Sequence, residues 1–518
     1  MLFKTYASTL MGVEATTITV EVNAGGNVPA GTKYYHLLGL PDNAIREGFQ
    51  RIEAAIKNIR YRMYRVKLVI NLAPADLRKE GSAYDLPIAL GVLASTGQMN
   101  GENLDKYVIM GELSLNGDLR SIKGALPIAI QAKREGFKGI LLPYQNVKEA
   151  SIVEGINVYG IKNLKNAINF FDGTEIIEPE KYNIKDNFYK NNGSYAVDFS
   201  DVKGQENIKK ALEIAAAGGH NVILIGPPGA GKTMLASRLP TILPPLDLDE
   251  ALETTKIYSV AGMLASDQAL ISTRPFRSPH HTISDVALVG GGSNPNPGEI
   301  SLAHNGVLFL DELPEFKRTA LEVLRQPMES RKVTISRAKI SVDYPADFML
   351  ISSMNPCPCG FYNHPEKECV CSVGARKRYL NKISGPLLDR IDLHVEVTPV
   401  SYEELSKFEY SSETSSVIRE RVLRAREIQK IRFEKLNNVF NNSQMPSRLA
   451  RTICKLDNQS TAMLKNAMEK LQLSARAYDR ILKVSRTIAD LDECNDIKSQ
   501  HLAQAINYRN LDREGWLG

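Results

Sequence analysis

The segment from Gly226 to Thr233 constrains the fold of this chain more than any other feature, because it reads Gly-Pro-Pro-Gly-Ala-Gly-Lys-Thr. The apolar run Asn221 to Ile225 leads into it, and a helical pattern from Met234 to Leu239 follows directly. In the order strand, glycine loop and helix, backbone N–H groups turn inward around phosphate oxygens, and the helix N-terminus adds positive potential. The sequence therefore predicts an α/β fold that binds the phosphates of a nucleotide at this loop.

The last two positions of this phosphate-binding loop carry its reactive side chains. Lys232 can reach the β- and γ-phosphates of ATP, and the Thr233 hydroxyl can coordinate Mg²⁺. The alternative is an ordinary glycine turn that happens to precede a lysine, but all fixed positions and both flanking elements are present. The residues expected to hold ATP are Gly226, Pro227, Pro228, Gly229, Ala230, Gly231, Lys232 and Thr233.

Two further apolar strands end in polar residues suited to hydrolysis. The strand Val307 to Leu310 ends at Asp311 and Glu312. Asp311 is expected to hold Mg²⁺ through water, and Glu312 is expected to polarise the attacking water. Another apolar strand ends at Asn355, which is expected to orient that water beside the γ-phosphate. Each of these is an ordinary strand end when taken alone, but together with the loop they predict ATP hydrolysis.

Length and composition limit the number of domains and the cellular location that we expect. One hydrophobic core serves about 250–300 residues, so a chain of 518 residues is expected to form two or three domains. The net charge of +5 permits an anionic partner without requiring one. We find neither a signal peptide nor an apolar stretch of about 18 residues, and therefore expect a cytoplasmic protein without a membrane span.

Four of the six cysteines form two close pairs, Cys357-Pro-Cys359 and Cys369-Val-Cys371. Four thiolates can close a tetrahedral Zn²⁺ site, and His364 is an alternative fourth ligand. Because the C-x-C spacing is tighter than the common C-x₂-C spacing, free cytosolic thiols remain the other interpretation.

The sequence pattern divides the chain into four parts. Residues 1–172 read as mixed α and β structure. Residues 173–197 lose the apolar periodicity and are rich in Gly, Pro, Asn and Lys, which is typical of a linker. Residues 198–400 contain the phosphate-binding loop and the strands that end in polar residues. Residues 401–518 read as almost wholly helical.

Several motifs resemble those of the magnesium-chelatase-related AAA+ ATPases, and within them the YifB/ComM group, over nearly the whole chain. They are the phosphate-binding loop and the segments Arg277 to His281, Gly298 to Glu312 and Gly385 to Asp392. The resemblance implies a P-loop AAA+ core with a helical lid, in a ring that is usually a homohexamer, with ATP held between neighbouring subunits. Arg390 then matches the arginine finger donated to the next subunit. Arg476 matches the sensor-2 arginine of the lid, and Arg480 is the weaker candidate for that role.

Residues 1–172 resemble the Lon-protease-type domain, an α+β fold of the ribosomal S5 domain 2 type. The resemblance rests on Lys79 to Asp85 and Met110 to Gly117. The position of the proteolytic serine holds Ala83, with Ser82 one place away, and the position of the proteolytic lysine falls in Ala125 to Pro127, where there is no lysine. Because a serine nucleophile needs a positioned base, we expect a scaffold without protease activity.

Two inserts match loops that face the central pore and touch nucleic acid in related rings. They are Phe276 to Gly292, with His280 and His281, and the alternating hairpin Lys332 to Asp343, with Arg337 and Lys339. The alternative for the hairpin is a solvated basic surface. We predict DNA contacts from these four residues.

The resemblance and the inserts together predict a ring-forming motor that uses ATP and Mg²⁺ to move or remodel DNA. The implied activity is of the branch-migration or helicase type, in recombination or natural transformation. The arginine-rich helix from Arg419 to Lys435 suits phosphate contacts, with a solvated helix face as the equal alternative. The alternative function is that of a chelatase-like ATPase that remodels a protein partner without DNA.

Overall fold

The structure is a computed structural model of the chain. It describes residues 1–29, 32, 34–184, 188, 193, 195–292, 295–337, 340–364, 366–399, 413–436, 438–471 and 473–509. The chain forms two compact units, Met1–Lys190 with Leu248–Ile271 and Asn191–Asp247 with Ser272–Gly518. The stretch Leu248–Ile271 thus belongs to the first unit, although the sequence pattern groups it with residues 198–400. The boundaries at 172, 197 and 400 stay predictions.

The first unit is built on a mixed sheet. Its described strands are β1 (Leu2–Met11), β2 (Glu14–Asn27), β3 (Tyr35–Leu38), β4 (Val66–Ala73), β5 (Tyr107–Ile109), β6 (Glu112–Leu113), β7 (Leu119–Arg120), β8 (Gly139–Pro143) and β9 (Asn157–Ile161). Seven of them form one sheet in the order β3-β4-β2-β1-β5-β8-β9. Its described helices are α1 (Asn43–Asn58), α2 (Asp85–Ser95), α3 (Ala125–Arg134), α4 (Val147–Ala150) and α5 (Leu164–Phe171), joined by the helix Leu248–Ala261.

Apolar periodicity explains the core of this unit. In β4 every second residue, Leu68, Ile70 and Leu72, is fully buried, as the period of a strand requires. Helix α1 begins where the Asp42 carboxylate accepts a hydrogen bond of 2.8 Å from the backbone N–H of Ile45. Its buried face then recurs every three or four positions, at Ile45, Phe49, Ile52 and Ile56.

The rest of the chain alternates strands and helices before it becomes helical. The described strands are β10 (Val222–Ile225), β11 (Phe276–Arg277), β12 (Gly290–Gly291), β13 (Asn296–Pro297), β14 (Val307–Leu310), β15 (Lys332–Arg337), β16 (Ile340–Pro345), β17 (Met349–Met354) and β18 (Leu393–Glu396). The described helices are α6 (Glu206–Gly218), α7 (Lys232–Ile242), α8 (Leu248–Ala261, in the first unit), α9 (Asp285–Val289), α10 (Glu299–Leu302), α11 (Arg318–Val323), α12 (Pro327–Ser330), α13 (Val373–Leu380), α14 (Gly385–Leu388), α15 (Ser415–Phe433), α16 (Ser447–Ile453), α17 (Asn458–Lys470), α18 (Ala475–Leu491) and α19 (Ser499–Asn507). Within the described ranges, no helix is both long and apolar enough to cross a bilayer.

A parallel sheet of five strands, in the order β11-β14-β17-β10-β18, forms the centre of the second unit. All residues of β10, β14 and β17 are buried, as expected for inner strands of a parallel sheet covered on both faces. Because the strands are parallel, the residues that follow them lie at one edge. These residues are Gly226 after β10, Asp311 after β14 and Asn355 after β17. The mixed α/β class is therefore confirmed, whereas the likeness to a Lon domain and the role of the helical part as a lid stay predictions.

A buried carboxylate connects this sheet to the C-terminal helices. Asp392, just before β18, lies 2.7 Å from Arg480 of α18 and 3.3 Å from His220 Nδ1, and it accepts a hydrogen bond from the backbone N–H of Asn221. Burial opposes ionisation, but the charge of Arg480 and the hydrogen bond with His220 hold the pKa of Asp392 well below its usual value. The sheet and the helices share one core.

Candidate functional site

The phosphate-binding loop joins β10 to α7, as the sequence predicts. β10 ends at Ile225, and α7 begins at Lys232. Gly229 and Gly231 both have φ near +80°, in the left-handed region that residues with a Cβ rarely adopt. The glycine pattern is therefore used to curl the backbone of the loop in front of the helix N-terminus.

Lys232 is almost completely buried at the base of the loop. Its Nζ donates hydrogen bonds to the carbonyl oxygens of Gly226 and Pro227, at 2.8 and 2.9 Å, and to Oδ1 of Asn355, at 3.1 Å. The pKa of Lys232 is lowered by burial, and the carboxylates of Asp311 and Glu312 offset only part of this effect. The lysine thus connects the loop to the end of β17, which lies 123 residues further along the chain.

The acid at the end of β14 faces the loop. Asp311 accepts a hydrogen bond of 2.8 Å from the Thr233 hydroxyl and another, of 3.0 Å, from the backbone N–H of Glu312. The hydroxyl of Ser353 also donates to Asp311. A hydroxyl and a carboxylate at this distance are the hard oxygen ligands that suit Mg²⁺. The sequence analysis did not assign Ser353, although the pair Ser352-Ser353 in a mostly apolar strand, just before Asn355, was a usable signal.

Glu312 has an unexpected neighbour. Its backbone is left-handed, with φ 54°, and its side chain is 56% exposed, with Oε2 at 3.4 Å from Nδ1 of His281. The His281 ring packs against that of His280, with ring centroids 4.1 Å apart, and His280 Nδ1 lies 2.9 Å from the Thr282 hydroxyl. The insert expected to contact DNA therefore reaches the acid expected to activate water, which spacing along the sequence gave no reason to expect.

Arg390, the expected finger, is held within its own chain. Its side chain is 8% exposed, its Nη2 lies 2.5 Å from Glu329 Oε1, and its Nη1 donates to the Pro386 carbonyl at 2.6 Å. Glu329 itself is largely exposed. Release of Arg390 toward a neighbouring subunit would therefore require the ion pair with Glu329 to open.

The two sensor-2 candidates differ in availability. The Arg476 side chain is 60% exposed and lies 3.4 Å from Asp389 Oδ2. Arg480 is mostly buried and pairs with the fully buried Asp392. Because an arginine that compensates a buried carboxylate cannot leave it without a large loss of stability, Arg476 is the better placed of the two to contact a ligand.

The four clustered cysteines converge in space. Their sulfur atoms all lie within 4.8 Å of one another, and this group could hold a metal ion. His364 is not part of it among the described residues. Instead, its Nδ1 accepts hydrogen bonds of 3.0 and 3.1 Å from the backbone N–H groups of Glu366 and Lys367. The sulfur atoms alone therefore make up the candidate ligand set.

The predicted hairpin is formed by β15 and β16, with Arg337 opposite Ile340. Val333 and Ile335 are buried on one face, and on the other the Lys332 ammonium pairs with Asp343 at 2.7 Å. The side chain of Arg337 and the whole of Lys339 lie outside the described residues. Their contacts with DNA stay a prediction.

Part of the basic charge of the arginine-rich helix is paired within the chain. Three arginines of α15 have partners within the chain: Arg421 pairs with Glu213 and Glu413 at 2.5 and 2.6 Å, Arg426 donates to the Ala216 carbonyl at 2.8 Å, and Arg432 pairs with Asp490 at 2.5 Å. These contacts hold the helix against α6 and α18. These three arginines have a structural role, and DNA contacts from the other basic residues of the helix stay a prediction.

The Lon-like region has no assembled serine–lysine pair among its described contacts. The Ser82 hydroxyl donates to the Glu112 carboxylate, and the Lys79 ammonium donates to the Pro74 carbonyl. Burial lowers the pKa of Lys79. Absence of protease activity stays a prediction.

Comparison with known proteins matches three family models along the chain. "Magnesium chelatase, subunit ChlI" matches residues 198–405, "Subunit ChlI of Mg-chelatase" matches residues 20–146, and "Magnesium chelatase, subunit ChlI C-terminal" matches residues 412–509. The first match contains the phosphate-binding loop, Asp311, Glu312 and Asn355.

Similar proteins match over almost the full length. The chain is 42% identical over 508 residues to the competence protein ComM of Haemophilus influenzae, covering 98% of this chain and 97% of the relative. It is 44% identical over 504 residues to the protein YifB of Escherichia coli, covering 97% and 96%. A shorter match, 30% identical over 189 residues, joins 31% of this chain to 33% of Lon protease 2 of Bacillus subtilis. The extent of the longer matches, together with the loop geometry, shows that the chain belongs to the YifB/ComM group of magnesium-chelatase-related AAA+ proteins.

Proposed function

We propose that this protein hydrolyses ATP with Mg²⁺ at the loop between β10 and α7. The observation that carries the proposal is that the loop meets two strand ends at one edge of the parallel sheet: Lys232 donates a hydrogen bond to Asn355, and Thr233 donates one to Asp311. The chemical class of the site is that of P-loop enzymes, in which catalysis consists of positioning and charge stabilisation.

Each residue of the site has a separate role in binding or hydrolysis. Lys232 and the N–H groups of the loop bind the phosphates, and Glu312 accepts a proton from the attacking water while Asn355 orients that water. Thr233 and Asp311 would hold Mg²⁺, which neutralises charge on the phosphates. Ser353 keeps the Asp311 carboxylate directed at Thr233.

The arginines are assigned to a ring of identical subunits. In this proposal Arg390 leaves Glu329 on assembly and approaches the nucleotide of the next subunit, and Arg476 contacts the nucleotide of its own subunit. The exposure of Arg476 supports its part of the assignment. The large exposed fraction of Glu329 supports the assignment of Arg390, because water can solvate the Glu329 carboxylate once the ion pair opens.

We further propose that the ring acts on DNA, in branch migration or a related step of recombination. The support is the relationship to a competence protein, together with the insert that reaches the ATP site through His281. His281 links one insert to Glu312, so that a ligand bound to the insert has a direct route to the acid that activates water.

The test compares ATP hydrolysis and band shifts with single-stranded DNA, duplex DNA and a four-way junction. We expect hydrolysis to be stimulated by DNA, most strongly by the junction, and we expect binding in the presence of nucleotide. Hydrolysis without binding of any DNA by assembled rings would reject the DNA motor and leave an ATPase that remodels a protein partner. Absence of hydrolysis under every condition would reject the enzymatic proposal itself.

A further inference from the structure

The sulfur atoms of the cysteine cluster are spaced like the four ligands of one tetrahedrally coordinated metal ion. The distance between Sγ atoms is 3.3 Å for Cys357 and Cys359, 3.7 Å for Cys357 and Cys369, and 3.7 Å for Cys359 and Cys369. Zinc–sulfur bonds of about 2.3 Å place the corners of a tetrahedron about 3.8 Å apart. Cys371 completes the set within 4.8 Å, and none of the four is in a disulfide.

A tight turn makes the short C-x-C spacing workable. The backbone N–H of Gly360 donates to the Cys357 carbonyl at 3.0 Å, and Gly360 has φ near +84°. This turn brings Cys359 back beside Cys357, so that both sulfur atoms point at the same position. The second pair precedes Ser372, whose hydroxyl caps α13 by accepting from the backbone N–H of Ala375. A helix start and a turn therefore fix the two halves of the cluster.

The segment bounded by these cysteines, residues 357–371, touches the ATP site at two points. It follows Asn355, whose Oδ1 accepts a hydrogen bond from Lys232. Gly360 packs so tightly on the phosphate-binding loop that a Cβ there would lie 2.6 Å from Cδ of Pro228. Anything that fixes this segment therefore also fixes Asn355 and one wall of the loop.

We propose that Cys357, Cys359, Cys369 and Cys371 bind one structural Zn²⁺, and that this ion braces the phosphate-binding loop and Asn355. Four thiolates fill a tetrahedral site and leave no open position for water, so the ion has a structural role and takes no part in hydrolysis. The zinc site stands on the sulfur geometry alone. Its effect on nucleotide binding rests on the proposed function.

The first experiment measures metal in the full chain, purified with a reducing agent and supplied with zinc. We expect about one zinc per chain, since structural four-thiolate sites bind this ion tightly. Replacement by Co²⁺ should give the thiolate-to-cobalt absorption of a tetrahedral site. The variant Cys359→Ser with Cys371→Ser should lose the metal, whereas Cys494→Ser, at a half-buried cysteine outside the cluster, should keep it.

A lack of metal in the reduced intact chain, or iron in place of zinc, would overturn the site. So would zinc that persists in the double variant. The cobalt spectrum of the intact chain decides the question even if the double variant does not fold, because it needs no substitution.

The second experiment measures binding of a fluorescent ATP analogue and the rate of hydrolysis. Gly360→Ala should press a Cβ on Pro228 and strain the left-handed turn beside Cys359, so we expect it to weaken zinc binding as well as nucleotide binding. Gly374→Ala in α13, where an added Cβ meets nothing within 4 Å, is the control. We expect loss of zinc, and Gly360→Ala, to reduce hydrolysis on the order of tenfold to a hundredfold, because small displacements of positioning groups have effects of that size. Unchanged affinity and rate after zinc loss would overturn the brace. If the intact chain bound no nucleotide, both the proposed function and the effect of zinc on the phosphate-binding loop would be rejected. The metal content would still decide whether the zinc site exists.

Discussion

Two side chains at the site illustrate how binding and hydrolysis are separated. Lys232 is buried and donates to three oxygens around the loop. Glu312 is more than half exposed, and its carboxylate contacts His281 from the neighbouring insert. A change at the first position removes a positive charge from the phosphates, whereas a change at the second leaves the phosphate cradle intact.

Glu312→Gln should retain ATP binding and lose hydrolysis. The amide cannot accept a proton from water, and general-base catalysis contributes about 10²–10⁴-fold to rates. Lys232→Ala should lose nucleotide binding as well. Titration with an ATP analogue and phosphate release measure the two properties separately. Near-normal turnover in both variants would show that the site has been assigned wrongly.

His281→Phe tests whether this residue acts on Glu312 or on DNA. We expect basal hydrolysis to rise about two- to tenfold, because the carboxylate loses a polar contact worth about 0.5–1.5 kcal/mol that competes with water. The phenyl ring preserves packing against Phe316, whose ring centroid is 6.4 Å from that of His281. His280→Phe is the control, since His280 contacts Thr282. If only DNA affinity changed, in both variants alike, the contact with Glu312 would have no role in turnover.

At the scale of elements, buried charge decides how the pieces are held together. Asp392, just before β18, pairs with Arg480 of α18. The arginines of α15 hold α15 against α6 and α18. The hairpin of β15 and β16 is anchored through its apolar face and leaves its other face to solvent. One set of charges is therefore structural, and the charges near the hairpin tip are the ones expected to meet a ligand.

Asp392→Ala should lower the free energy of unfolding of the second unit by about 3–5 kcal/mol, because it leaves Arg480 buried without its carboxylate. The midpoint of a urea transition measures this. Asp389→Ala is the control, since its pair with the exposed Arg476 should be worth less than about 1 kcal/mol. Equal effects of the two substitutions would contradict the assignment.

The same carboxylate predicts a direction of pH dependence. The folded-state pKa of Asp392 lies below its unfolded value. Its contribution to stability is therefore fully present above the ordinary carboxyl pKa of about 3.9 and is lost as the pH falls toward the folded value. The urea midpoint of Asp392→Ala should consequently fall less steeply on acidification than that of the unsubstituted protein.

Arg337→Ala with Lys339→Ala should weaken binding to DNA of any sequence. Each lost phosphate contact should flatten the slope of log K against log salt by about 0.7–0.9, while basal hydrolysis stays the same. Lys332→Ala, at the other end of the hairpin, is the control because its ammonium is already paired with Asp343. An unchanged affinity and slope in the double variant would exclude the hairpin from the DNA path.

At the scale of the whole molecule, the pairing of Arg390 bears on the proposed ring. In the single chain Arg390 is paired with Glu329 and with the Pro386 carbonyl, so a role in the next subunit requires a change on assembly. The family to which the chain belongs commonly assembles into oligomers, and in the proposed ring a neighbouring subunit would lie within reach of Arg390.

Arg390→Ala should bind ATP and hydrolyse it slowly, since arginine fingers contribute ~10³–10⁵-fold to rates. The decisive measurement mixes these subunits with Glu312→Gln subunits, which are inactive but keep Arg390. Partial recovery of hydrolysis is expected if the arginine serves a neighbour. No recovery in rings shown to contain both variants would place its action within its own subunit.

Local patterns in the sequence were enough to predict which loop and which strand ends meet at the candidate nucleotide site. The glycine loop, the strand that ends at Asp311 and the strand that ends at Asn355 are each defined by a few consecutive residues, and parallel strands bring their ends to one edge. The hairpin at Lys332 to Asp343 is predicted for the same reason, because its alternation has a period of two. Short motifs and apolar periodicity can be read from consecutive residues, without knowledge of the tertiary structure.

Only the tertiary structure decided which distant groups share a contact. Ser353 turns to Asp311 and His281 to Glu312, although no spacing links either pair. The arginines of α15 read as a basic face, yet three of them pair with carboxylates or carbonyls that folding brings to them. Four cysteines with an uncommon spacing meet because a turn at Gly360 and the start of α13 fold their segment back on itself. The sequence determines the chemistry of each side chain. Which partner a side chain meets depends on the path of the chain between the two residues, and only the packing of the whole core fixes that path.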